Sequence, residues 1–141
     1  VWESVDRTAL VDEIARRAPG ATVYVQVDLS GEPQKGGAAP DEVPGLVDRA
    51  RDVGLAVRGL MGVGPAGPAE AARPGFRSLV ALADELGLPE RSIGMTADLE
   101  VAVGEGATEV RVGTALFGPR PARGGAPSPS SGGAPSSSDR G

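Results

Sequence analysis

Up to residue 118 the chain alternates short stretches of period-two hydrophobicity with longer stretches at helical spacing, and this alternation leaves few folds open. Residues 22–30 set Val23, Val25, Val27 and Leu29 on one side and Tyr24, Gln26, Asp28 and Ser30 on the other, which predicts a strand. Before it, a short strand within residues 1–6 leads to a helix over 8–18, with Leu10, Val11, Ile14 and Ala18 on one stripe, Asp6 as cap and Pro19-Gly20 as stop. After it come a loop over 31–37, a helix over 41–53 carrying Val43, Leu46, Val47, Ala50 and Val53, and a strand over 55–63. A helix over 74–86 follows, with Phe76, Leu79, Val80, Ala83 and Leu86 inward and Pro74 in its first turn, where proline is tolerated. A glycine-interrupted strand over 91–96, a helix capped by Thr96 and running through Val103, and a strand around Arg111 complete the pattern. Strand and helix in strict turn, with connections this short, predict an α/β fold of parallel strands joined by right-handed crossovers.

Composition removes several chemistries. The 141 residues contain no cysteine and no histidine, which excludes disulfides, thiolate zinc sites, thiol nucleophiles and the usual Ser-His general base. Lys35 is the one lysine against thirteen arginines, so any Schiff base formed within the chain has a single candidate. A net charge of -5 without a basic stripe argues against nucleic acid as a partner. No apolar run is long enough to span a membrane and no leader opens the chain, so the expectation is a soluble, cytoplasmic protein. Aromatic residues make up 3%, and the core must therefore be built from Val, Leu and Ala.

One stretch carries functional chemistry. In Glu109-Val110-Arg111-Val112-Gly113-Thr114 the alternation places Val110 and Val112 on one face and Arg111 on the other, and the strand then breaks at a glycine beside a hydroxyl. A bare backbone lets an anion approach N–H groups, and the threonine adds a donor; this is how a phosphate is held. An edge arginine followed by a turn reads the same way, so the stretch alone leaves both open.

Four segments in order give this chain its resemblance to a known family: Val25-Gln26-Val27-Asp28-Leu29-Ser30-Gly31-Glu32 with Lys35-Gly36, then Gly59-Leu60-Met61, then Ser92-Ile93-Gly94-Met95-Thr96-Ala97-Asp98-Leu99-Glu100, and finally Val110-Arg111-Val112-Gly113-Thr114-Ala115-Leu116-Phe117-Gly118. Together they resemble the pyridoxal phosphate homeostasis proteins, also called proline synthase co-transcribed proteins, whose fold is similar to the alanine racemase N-terminal barrel. The resemblance implies a partial (β/α)8 barrel of the TIM type, about strands four to eight, over residues 1–118, and a Pro/Ser/Gly-rich disordered tail over 119–141. It also implies pyridoxal 5'-phosphate at the C-terminal mouth of the strands, bound by Ser92, Thr96, Arg111, Gly113 and Thr114, with Arg111 facing the pyridine nitrogen and no catalytic residue.

The departures are specific. The family's Schiff-base lysine lies on an earlier strand and is not Lys35, which matches a loop Lys-Gly pair. Asp28 stands where the family has asparagine, and Glu3 where it often has histidine. Asp98 and Glu100 read as first-turn charges, Met61 and Met95 as core filling, and Lys35 as a solvated loop cation. The resulting expectation is a non-catalytic cofactor carrier in vitamin B6 and amino-acid homeostasis, a monomer as a complete protein, with this portion alone self-associating through open barrel edges. Two rivals stand beside it: a racemase-like enzyme, for which the chain offers only Tyr24 and no second domain, and a truncated product that binds nothing.

Overall fold

Backbone hydrogen bonds pair four strands side by side in the computed structural model, which describes residues 1–119. The strands are β1 (Trp2–Val5), β2 (Thr22–Val27), β3 (Ala56–Gly62) and β4 (Glu90–Ser92), all parallel and in chain order. Between and after them lie α1 (Thr8–Arg17), α2 (Val43–Asp52), α3 (Arg73–Glu85), α4 (Leu99–Glu105) and the single turn α5 (Thr114–Phe117). Short 3-10 turns at Pro33–Lys35 and Ala69–Ala72 interrupt the loops that follow β2 and β3. The tail expected over 119–141 lies outside the described residues apart from Pro119.

The core sits between the sheet and its helices. Val23, Val25, Val27, Leu60 and Ile93 pack with Val11 and Ile14 of α1, Val43, Leu46, Val47 and Ala50 of α2, and Phe76, Leu79 and Ala83 of α3. The three-and-four spacing that makes each helix amphipathic is what turns these side chains to one side. The polar side of β2 is also shielded, since Tyr24 and Gln26 are both buried. A parallel strand with both faces covered is the rule for a barrel wall. In β1 a break in register between Trp2 and Val5 puts Val5 in the core while Glu3 reaches the opposite, inner face.

Several local expectations change. The residue capping α1 is Arg7, and Asp6 instead accepts a bond from the Gly37 amide. Asp98, not Thr96, occupies the N-cap of α4; its carboxylate accepts the Met95 N–H at 2.7 Å, and the chain before it is turned by Gly94 at φ +96, where a Cβ would lie 2.5 Å from that of Ala102. Val103 faces outward. The expected fifth strand is reduced to one parallel bridge between Ser92 and Glu109, and Val110 is 38% exposed rather than packed.

Arginines lock the outer elements. Glu105 of α4 accepts bonds from Arg73 at 2.7 Å and Arg77 at 3.0 Å, and Glu70 accepts a further bond from Arg73. These contacts, first those of Arg77, hold the Glu105 carboxyl below its ordinary value of 4.5; Arg73 does the same for Glu70, Arg16 for Glu13 and Lys35 for Glu32. A carboxyl with a depressed folded-state pKa contributes stability above its unfolded value and loses it as pH falls through the folded one. Thermal denaturation is therefore expected to show stability falling below about pH 4.5, with a smaller fall in Glu105→Gln, which has no carboxyl to protonate.

Candidate functional site

The C-terminal ends of β3 and β4 and the segment after Glu109 surround an open cleft of about 920 Å3. Lys35, Val63, Gly64 and Pro65 form one wall, Met95, Thr96, Ala97 and Asp98 another, and Gly113 with Phe117 through Pro119 the third. The volume lies within the usual range for small-molecule sites. Strand ends are also where a β/α barrel gathers its loops.

Directly beneath the cleft the Arg111 guanidinium ties the two strand ends together. It donates to the Ser92 carbonyl at 2.9 Å, to Ser92 Oγ at 2.8 Å and to the Gly62 carbonyl at 2.9 Å. Ser92, fully buried, donates a hydrogen bond from its own hydroxyl to Glu3 Oε2 at 2.9 Å, and that carboxylate stands 4.0 Å from the guanidinium. Burial lowers the Arg111 pKa from its ordinary value, against the opposing pull of Glu3, Asp98 and Glu109. A guanidinium lowered in this way remains charged at neutral pH.

Gly113 is exposed, and a Cβ built on it would meet nothing within 4 Å, so its backbone borders open space. Its carbonyl accepts the Leu116 and Phe117 N–H groups and closes the turn of α5. Thr114 opens that turn; its side chain lies outside the described residues. Lys35 is not a solvated cation. Its ammonium donates to the Gly64 carbonyl at 2.6 Å and pairs with Glu32 at 3.0 Å, drawing the loop after β2 against the one after β3.

Thus Thr96 and Gly113 reach the cleft, while Arg111 and Ser92 meet one layer below it. Met95 is not core filling but a half-exposed side chain in the cleft wall, whereas Met61 is buried. The Asp28 carboxylate is occupied by its own turn, accepting the Ser30 and Gly31 N–H groups at 3.1 and 2.8 Å. Two inner-face contacts escaped the reading of the sequence: Glu3 with Ser92, and the Tyr24 hydroxyl donating to Glu109 Oε1. Simple alternation already puts Tyr24 on that face without naming its partner, whereas the register break in β1 hides Glu3, which shares the parity of the core residue Val5.

Parallel βα units with a cleft gathered at the strand ends define a portion of a β/α barrel. The chain belongs to the alanine racemase N-terminal domain family, which matches residues 1–121. It is 41% identical over 125 residues to the pyridoxal phosphate homeostasis protein of Pseudomonas aeruginosa, covering 83% of this chain and 54% of that protein. The protein of the same name from Aquifex aeolicus is 42% identical over 130 residues, covering 83% and 57%. The structure of PipY from Synechococcus elongatus with PLP bound superposes with a TM-score of 0.70 at 34% identity, covering 82% of this chain and 59% of PipY. The chain therefore spans somewhat more than half the length of these relatives.

Proposed function

We propose that this chain is part of a pyridoxal 5'-phosphate-binding protein that carries the cofactor in vitamin B6 and amino-acid homeostasis without turning over a substrate. The observation that carries the reading is the Arg111 guanidinium clamping the ends of β3 and β4 under a cleft bordered by the bare backbone of Gly113. The name of the relatives and the PLP bound to PipY support the same ligand. The cleft fits the group: open space at Gly113 admits a phosphate to backbone donors, Thr96 stands in the wall, and the Lys35 ammonium adds positive charge. In this reading Arg111 and Thr114 complete the site and Ser92 orients Arg111. When bound, the cofactor would supply an aldehyde and a pyridine ring as electron sink, and a charged arginine facing the ring nitrogen would keep that nitrogen unprotonated and the sink weak. In the same reading residues 1–118 form the barrel portion.

With Lys35 tied to Gly64 and Glu32, the cofactor is held without a covalent link to this chain. A few charge-assisted hydrogen bonds of about 1.5–3 kcal/mol each, less an association cost of several kcal/mol, give micromolar-to-millimolar affinity. Titration by fluorescence is expected to show binding of pyridoxal phosphate, much weaker binding of unphosphorylated pyridoxal, and no stoichiometric adduct after borohydride reduction. Gly113→Val, which fills the space beside the backbone, should weaken binding about tenfold or more. Equal affinity for the two ligands would refute the phosphate assignment, and a stoichiometric adduct at Lys35 would refute the noncovalent one.

A further inference from the structure

The segment that carries Arg111 and Gly113 is weakly attached by its own backbone. Among the described residues three backbone bonds join it to β4 and the chain after it: Glu109 N–H to the Arg91 carbonyl at 3.2 Å, Ile93 N–H to the Glu109 carbonyl at 3.1 Å, and Arg111 N–H to the Gly94 carbonyl at 2.9 Å; Thr108, just before it, is bound to Arg91 through its own N–H at 3.0 Å and its hydroxyl at 2.8 Å. Its valines add little, since Val110 is exposed, Val112 is only partly buried, and neither belongs to the core. Side chains must therefore hold it. Arg111 supplies one set of bonds, to Ser92 and Gly62; the other comes from Tyr24. This tyrosine lies 85 positions away on β2, is 3% exposed, and donates its hydroxyl proton to Glu109 across the inner face of the sheet. Gly59, its register partner on β3, has no side chain there for the ring to clear.

We infer that Tyr24 is a positioning residue: through Glu109 it fixes the 109–113 segment, and with it the placement of Arg111 and Gly113 at the cleft. Tyr24 and Glu109 act below the ligand, at one remove from it. Glu3 and Glu90 also lie near enough to the Tyr24 hydroxyl to act on it electrostatically. Its burial and the carboxylate beside it raise the Tyr24 pKa above its ordinary value of 10, so the hydroxyl keeps its proton at neutral pH. The structural part stands on these contacts alone; the ligand part rests on the reading of the cleft as a pyridoxal phosphate site.

The test is amide hydrogen exchange in the unliganded protein, followed by titration with pyridoxal phosphate. Tyr24→Phe keeps the ring and removes one hydroxyl, so the amides of Glu109 and Arg111 should exchange about tenfold faster while those of Val25 and Leu79 stay unchanged. Glu109→Ala should reproduce the effect, and Glu109→Gln, whose amide oxygen still accepts from the phenol, should restore most of the protection. Affinity should fall about tenfold in Tyr24→Phe and no further when Arg111→Ala is added to it than in Arg111→Ala alone. Unchanged exchange at 109 and 111, or a loss of protection spread evenly over the chain, would overturn the inference. So would a loosened segment with unaltered affinity. If the unmodified protein binds no pyridoxal phosphate, the function proposed above fails, and the exchange data still decide whether Tyr24 fixes the segment.

Discussion

Arg111→Ala is expected to lower the unfolding free energy by about 2–4 kcal/mol and to weaken pyridoxal phosphate binding by about tenfold or more. The side chain is only 28% exposed and makes three hydrogen bonds to two different strand ends. Truncation leaves the Gly62 and Ser92 carbonyls without that donor and the Glu3 carboxylate without the nearby cation, each at the usual penalty for a shielded polar group. Arg111→Lys keeps the charge but replaces a planar fork with a single point donor, so it should recover less than half of the loss. Urea denaturation monitored through Trp2 gives the stability change, and the fluorescence titration with pyridoxal phosphate gives the change in affinity. An unchanged denaturation midpoint would mean that the clamp adds no net stability.

Phe76→Ala should cost more, about 3–5 kcal/mol, a large part of a total domain stability of order 5–15 kcal/mol. Phe76 is fully buried on α3, and its ring tip lies 3.3 Å from where a Cβ on Gly64 would stand, so the cavity would open beneath the cleft wall. The same Gly64 carbonyl receives the Lys35 ammonium, and relaxation into the cavity should loosen that contact as well. Phe76→Leu leaves a much smaller void and should cost about half as much. Circular dichroism melts of the three proteins would rank them, and a Tm for Phe76→Ala within a degree of the parent would place the core elsewhere.

The elements with strong periodicity are those that sequence reasoning locates well. The stripe of Phe76, Leu79 and Ala83 and the run of Val23, Val25 and Val27 are buried as their spacing predicts, because helical and strand geometry alone decide which side chains share a face. The weak strand around Arg111 misleads for a related reason. Its alternation is correct, but a strand exists only where a neighbour completes the ladder, and here pairing is reduced to the Ser92–Glu109 bridge. Val103 misleads at the other level, since helical spacing permits an inward position at the edge of the stripe and only the neighbouring elements show whether anything covers it.

For the site, the amino-acid sequence by itself determined the chemistry available: no thiol, no imidazole, one lysine, and an arginine two residues before a glycine at the end of a βα series. Local order set that much, because strand alternation and glycine breaks act over a few residues. The tertiary structure alone decided which of those groups meet. Glu3 reaches Ser92 over 89 positions, Tyr24 reaches Glu109 over 85 and Arg111 reaches Gly62 over 49, each across the inner face of a curved parallel sheet. Such contacts depend on the register and bending of strands distant in sequence, and a shift of one residue turns a side chain to the opposite face.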